Sequence, residues 1–333
     1  MNLKIKNKMA AHETPYADVS QRVLDAKSTL LGAGRYIVEL FGKGIDEIGT
    51  EYKAVDGNTA RTLIDNNSQR HILTSVGGLP SFYGTFVVAE EEMAETFPNL
   101  RHDPSLGGYV VGDGSSQNVA TYWDPFDGTA NAAIKMPMST AGMCIAEDGR
   151  LVASVILDPF PKLGDDSGRV YWAEQGKGAW RAGLSYDVTK GGFSETGEPE
   201  RITTDTKASS AKERYASTDS LFNQNTTQRK LGWIRDMVDA GLIMWQRSTG
   251  SNIGSAMQLA EGNMHYWLMD AVGGYFDSAG YALVEEAGGR VVNIHGEQPM
   301  PGDQVIVGVG NPADLEQVLG ITQKHYQGYE GFR

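Results

Sequence analysis

An apolar lead-in, Tyr122-Trp123, runs into Asp124-Pro125-Phe126-Asp127-Gly128-Thr129, and this octet constrains the chain more than any other part of it. Pro125 fixes its own φ at about −65°, and Gly128 permits a backbone path closed to other residues. Two carboxylates three residues apart can therefore be aimed into one pocket by the backbone itself. Asp-Pro and Asp-Gly pairs also make ordinary turns. A second acidic group weighs against a plain turn: Glu90-Glu91-Glu92 directly follows the apolar run Phe86-Val87-Val88-Ala89. Two strands that each end in carboxylates are how an α/β protein builds a metal site at its strand ends. Oxygen-only anionic ligands suit a hard cation such as Mg²⁺, which keeps positions open for water and substrate.

Composition bounds the alternatives. At 333 residues, with 40% hydrophobic and 21% charged residues, the chain is long enough for one large or two fused α/β units. It contains no apolar run of transmembrane length, so no membrane partner is expected. Met1–Lys8 carries charge without a following apolar core, so no secretory signal is expected. The single cysteine, Cys144, excludes an internal disulfide and fits a reducing compartment, the cytoplasm. It sits in the apolar run 141–146 and reads as a packing residue. A net charge of −13 argues against a nucleic-acid partner. A dense acidic site repels phosphate until cations are bound, so any phosphate ligand of such a site is expected to depend on metal.

Periodicity predicts a helix over 16–41 interrupted at Gly32 and Gly34, and a second over 59–76 with Asp65 on its pocket-facing side. Strands are expected at 141–146 and 151–157 around an Asp148-Gly149 hairpin turn, and at 170–173 and 178–180. Segments 161–168 and 189–213 read as surface loops. The C-terminal half alternates: helix 252–260, strand 265–269, helix 278–287 closed by Gly288-Gly289, strands 290–294 and 305–309, and a last helix opened by Asn311-Pro312. Glu285 and Glu286 read as a solvated helix face. Such alternation predicts layered sheets covered by helices.

The ordered motifs resemble the inositol monophosphatase branch of the Mg²⁺-dependent, lithium-sensitive phosphomonoesterases. That superfamily includes the fructose-1,6-bisphosphatases and the 3′-phosphoadenosine phosphatases. An early Asp is similar to Asp65 in Leu63-Ile64-Asp65-Asn66-Asn67, and Glu-Glu to Glu90-Glu91. The Asp-Pro-x-Asp-Gly-Thr motif spans Asp124 to Thr129, and Trp-Asp before a helix ending in Gly-Gly is similar to Phe276-Asp277 with Gly288-Gly289. The resemblance covers about Lys53 to Asn311. It implies an αβαβα sandwich, with an α+β half over 10–185 and an α/β half over 186–333.

By the same resemblance, Glu90, Asp124, Asp127, Asp277 and the Phe126 carbonyl are metal ligands, for two or three Mg²⁺ that Mn²⁺ may replace. Glu90, Thr129 and Asp65 orient or activate the attacking water, and Gly128, Thr129, Ser251 and Asp270 meet the substrate. Glu91 and Glu92 are expected behind the site or in solvent. The substrate implied is a small polyol, cyclitol or sugar phosphate, and the assembly a homodimer. A fructose-1,6-bisphosphatase, a 3′-phosphonucleotide phosphatase and a non-catalytic phosphosugar-binding relative are the rival readings. One residue fewer than usual lies between Asp277 and Gly288, a rotation of about 100° on a helix. Asp277 therefore either precedes the helix on a loop or meets the metal with altered geometry.

Overall fold

In the computed structural model, which describes residues 18–43, 45–52, 60–105, 107–112, 118–160, 168–204, 211–218, 224–270, 276–300 and 303–329, the segment Val19–Phe41 is one continuous helix, α1. Asp18 caps it by accepting from the Ser20 N–H. Val23, Ala26, Leu30, Ala33 and Ile37 recur at helical spacing and are all buried. Gly32 and Gly34 do not interrupt it. They are points of close approach: a Cβ on Gly32 would lie 2.4 Å from the His71 ring, and one on Gly34 would lie 2.7 Å from Leu157.

Short strands β1 (Glu51–Tyr52) and β2 (Ala60–Arg61) pair ahead of α2 (Leu63–Gly78). The large sheet follows with β3 (Phe86–Ala89), β4 (Leu100–Asp103), β5 (Gly108–Val111) and β6 (Val119–Asp127). After the short helix α3 (Thr129–Ala133) come β7 (Thr140–Glu147), β8 (Arg150–Asp158), β9 (Arg169–Glu174), β10 (Gly178–Asp187) and β11 (Gly192–Ile202). Their order is β11-β10-β9-β8-β7-β6-β3-β5-β4, with β3 and β6 parallel and the other pairs antiparallel.

The second sheet has strands β12 (Tyr215–Thr218), β13 (Trp245–Ser248), β14 (Tyr266–Met269), β15 (Arg290–Asn293) and β16 (Ile306–Val309) in the order β13-β12-β14-β16-β15. Around it lie α4 (Gln224–Asp239), α5 (Asn252–Ala260), α6 (Ala279–Glu286) and α7 (Leu315–Tyr326).

Strand alternation builds the layers. Along β7, Ala141, Met143 and Ile145 pack into the core with α1 and α2, whereas Cys144 and Ala146 face α5 and α6. Along β14, Trp267 and Met269 face α5 and α6 while Tyr266 and Leu268 meet Trp233, Met237 and Val318 of α4 and α7. The result is helix, sheet, helix, sheet, helix, with α5 and α6 buried between the sheets. Cys144 is fully buried, its Sγ 2.8 Å from the Ser278 hydroxyl, and burial pushes its thiol pKa up to about 12.

Three expectations are corrected here. The stretch 189–213 is not all loop, because β11 pairs along β10 as an edge strand. Every residue of β11 from Ser194 to Arg201 is exposed, and Gly197 and Pro199 fall among them, so no alternation marks the strand. Position 185/186 falls inside β10, and the chain leaves the large sheet only after Ile202. Glu286 is not simply solvated, since its carboxylate accepts the N–H groups of Gly176 and Gly178 at 2.9 Å each. The expected loop over 161–168 lies, except for Gly168, outside the described residues.

The packing of α5 against α6 predicts a contrast between two glycines. A Cβ on Gly280 would lie 2.2 Å from the Ala256 Cβ, whereas one on Gly320 in α7 meets nothing within 4 Å. Gly280→Ala is expected to destabilise by about 1–3 kcal/mol. Gly320→Ala is expected to stabilise by about 0.5–1 kcal/mol. Urea midpoints of the two variants check both signs.

Candidate metal and active site

Glu90 and Asp124 emerge side by side because β3 and β6 are parallel neighbours, with Ala89 opposite Trp123 and the Glu90 N–H donating to the Trp123 carbonyl at 3.3 Å. On a regular strand, residues three apart point to opposite faces. Against β7, however, Asp124 stands opposite Gly142 and Asp127 opposite Thr140, so β6 carries one extra residue across this step. That bulge turns both carboxylates to one side. Pro125, which has no N–H to give a ladder, sits within the bulge, and the Phe126 N–H donates to Asp124 Oδ1 at 2.9 Å. Gly128 then takes φ 88°, and a Cβ there would lie 2.9 Å from the Met138 carbonyl, so the exit from the strand requires glycine.

Asp277 lies in the turn just ahead of α6, which starts at Ala279, and this accounts for the short spacing to Gly288. Asp124, Asp127 and Asp277 each offer an oxygen, and the three atoms lie within 4.8 Å of one another. The first turn of α5 holds Asp127: its Oδ2 accepts from Ser251 Oγ at 2.5 Å and from the Ile253 N–H at 2.8 Å. Ser251 is also the N-cap of α5, accepting from the Gly254 N–H at 2.9 Å. Its hydroxyl is thus committed to Asp127 and the helix.

Asp65 is fully buried. It closes a capping box at the start of α2, Oδ2 accepting from the Thr62 N–H at 2.7 Å and the Thr62 hydroxyl at 2.6 Å. Its other oxygen accepts from Thr129 Oγ1 at 2.9 Å, and Thr129 also lies 3.1 Å from the Phe126 carbonyl. Behind the site, Gln69 of α2 bonds both the N–H and the C=O of Glu91, and the Glu91 carboxylate meets Arg61 Nε at 3.3 Å. Glu92 is exposed.

Burial and like charge act together on these acids. Burial, with the nearby charges of Glu90 and Glu91, pushes Asp65 up to about 7 despite its bonds to Thr62. Asp124 is raised well above the ordinary carboxylate value by burial and then by Glu90, Asp127 and Asp277. Asp127 rises to about 6, its burial partly offset by Ser251 and the α5 amides. Glu90 thus stands close enough to act on Asp65, Asp124 and Asp127. An all-oxygen set of crowded carboxylates fits hard divalent cations, whose charge would relieve the repulsion.

Asp270 is not an exposed turn residue. It is fully buried, with Lys230 Nζ 2.7 Å from Oδ1 and the Tyr326 hydroxyl 2.7 Å from Oδ2, and it ties β14 to α4 and α7. The sequence reading also missed Thr62, Gln69 and Arg61. The Thr62-x-x-Asp65 spacing is a capping-box signal, whereas Gln69 and Arg61 carry no pattern that marks them.

This fold and acidic corner define a class, and comparison with known proteins gives it. Residues 20–327 match the model of the inositol monophosphatase family, and the chain belongs to that family. No curated protein matches the sequence. Among solved structures, the extragenic suppressor protein SuhB of Bartonella henselae is 18% identical with a TM-score of 0.69, covering 92% of this chain and 99% of its own. The Thermotoga maritima IMPase is 20% identical with a TM-score of 0.66 and the same coverage. An inositol monophosphatase from Anabaena is 16% identical with a TM-score of 0.64, covering 92% of this chain and 96% of its own. These neighbours share the layered fold. No helix among the described residues is long and apolar enough to cross a membrane.

Two outcomes follow from the charges. A carboxyl whose pKa is raised by folding contributes stability below its unfolded pKa, about 4, that is lost as pH rises through its folded value. With chelator present, Asp124→Asn is therefore expected to melt a few degrees above the parent at pH 8, the gap narrowing as pH falls towards 4. Differential scanning fluorimetry across that range reads it. At the other acid, Lys230→Met leaves Asp270 buried without its ion partner and is expected to cost about 3–5 kcal/mol, largely recovered when Asp270→Asn is added.

Proposed function

We propose that this protein is a Mg²⁺-dependent phosphomonoesterase acting on a small polyol, cyclitol or sugar phosphate, with water as the nucleophile. The observation that carries the reading is the meeting of Asp124, Asp127 and Asp277 within 4.8 Å of one another, with Thr129, two residues after Asp127, hydrogen-bonded to the buried Asp65. Glu90, Asp124, Asp127, Asp277 and the Phe126 carbonyl would hold two or three cations. When bound, such cations stabilise charge on the phosphoryl oxygens and on the leaving oxygen and lower the pKa of a nearby water.

The chain's own groups supply the rest. Thr129 Oγ1 donates to Asp65, which leaves its lone pairs to orient the attacking water. Asp65 and Glu90 would take that water's proton as its oxygen attacks phosphorus and the ester P–O bond breaks, the departing alkoxide taking a proton from solvent. The amides of Gly128 and Thr129 are the donors for a phosphoryl oxygen. Lithium sensitivity, replacement by Mn²⁺, a homodimeric assembly and a cytoplasmic location belong to the same proposal and rest on the family.

Phosphate release is to be measured on inositol phosphates, sugar mono- and bisphosphates and 3′-phosphonucleotides, with Mg²⁺ or chelator. Turnover of a cyclitol or sugar monophosphate only with metal is the expected result. A strict preference for a bisphosphate or a 3′-nucleotide moves the assignment to those relatives, and no release from any ester rejects catalysis. Thr129→Val is expected to lower kcat by about 100-fold or more with the fold intact. Asp127→Asn is expected to lose both activity and metal-induced stabilisation.

A further inference from the structure

One residue of α5 reaches across to the acid on the turn before α6. Next to the Ile253 N–H that donates to Asp127 Oδ2 at 2.8 Å, the Asn252 side chain donates from Nδ2 to Asp277 Oδ2 at 3.3 Å. The other end of the carboxamide, Oδ1, is closed off from solvent and has no hydrogen-bond partner among the described residues. A buried acceptor left in this way is costly unless something fills it.

Helix formation does not explain the asparagine. Ser251 already caps α5, and at the first helical position alanine is the better helix former. The chemistry of the corner does explain it. Carboxylates that hold a hard cation are oriented by hydrogen bonds from outside the ligand set, and the hydration shell of the cation needs neutral oxygen acceptors.

We propose that Asn252 is a positioning residue of the cation site: Nδ2 sets the Asp277 carboxylate against Asp124 and Asp127, and Oδ1 accepts from water carried by a cation held there. This rests on the metal-dependent reading above. It also gives the short Asp277-to-Gly288 spacing a counterpart, since an acid on a turn needs an external hydrogen bond that one fixed by a helix does not. The link spans two elements, as α5 carries the amide and the turn before α6 carries the acid.

Mn²⁺ binding to the metal-free protein, measured by isothermal titration calorimetry, tests this on the parent, Asn252→Ala, Asn252→Leu, Asp277→Asn and Asn252→Ala/Asp277→Asn. Both single Asn252 variants are expected to bind Mn²⁺ roughly 10-fold more weakly. Their melting temperatures without metal should be unchanged or raised, because both residues suit a helix. Adding Asn252→Ala to Asp277→Asn should cost less affinity than it does in the parent, since only the Oδ1 contact is then left to lose. Parent-like binding by both Asn252 variants overturns the proposal, as does an equal loss in the Asp277→Asn background. A parent protein that binds no Mn²⁺ removes the metal reading and this inference with it. Normal parent binding with unaffected variants removes this inference alone.

Discussion

Mutual repulsion among buried carboxylates is the constraint around which the rest of the protein is arranged. Asp65, Asp124 and Asp277 are all buried, and Asp65, Asp124 and Asp127 have raised pKa values. Holding anionic groups together out of water works against stability unless each is bonded and some positive charge is supplied. The fold provides the bonds one acid at a time. α2 folds its first turn around Asp65, the bulge in β6 gives Asp124 the Phe126 amide, and the start of α5 offers Asp127 the Ser251 hydroxyl and the Ile253 amide. The positive ends of α2 and α5 therefore lie at the corner where negative charge is densest.

The framework behind these acids is apolar and closely fitted. Strands buried on both faces keep the large sheet between two helix layers, and α5 and α6 are shared with the second sheet. That sharing places the Asp127-binding end of α5 and the Asp277 turn before α6 on the same side as the ends of β3 and β6. Close approach of α5 to α6 rests on Gly280, which leaves room for Ala256.

Much of this arrangement is legible in the sequence, and the reasons are local. Helix 252–260 and the strand 266–269 announce themselves through apolar pattern and caps, and the octet from Tyr122 to Thr129 announces a broken strand end through Pro125 and Gly128. What is not legible depends on contacts between distant segments. Gly32 and Gly34 look like helix breakers until His71 and Leu157 are seen against them. β11 looks like a loop because an edge strand with both faces wet keeps no alternation. Asp270 looks like a substrate contact by its offset from Asp277, yet Lys230, forty positions upstream, claims it. No local pattern announces a pairing at that distance.

Asp65 has two jobs that cannot be separated. The same carboxylate that keeps α2 wound at its first turn also fixes the hydroxyl of Thr129. One oxygen serves the helix turn and the other the threonine. The first turn of α2 and the orientation of Thr129 thus share one carboxylate, so unwinding that turn would also free the threonine.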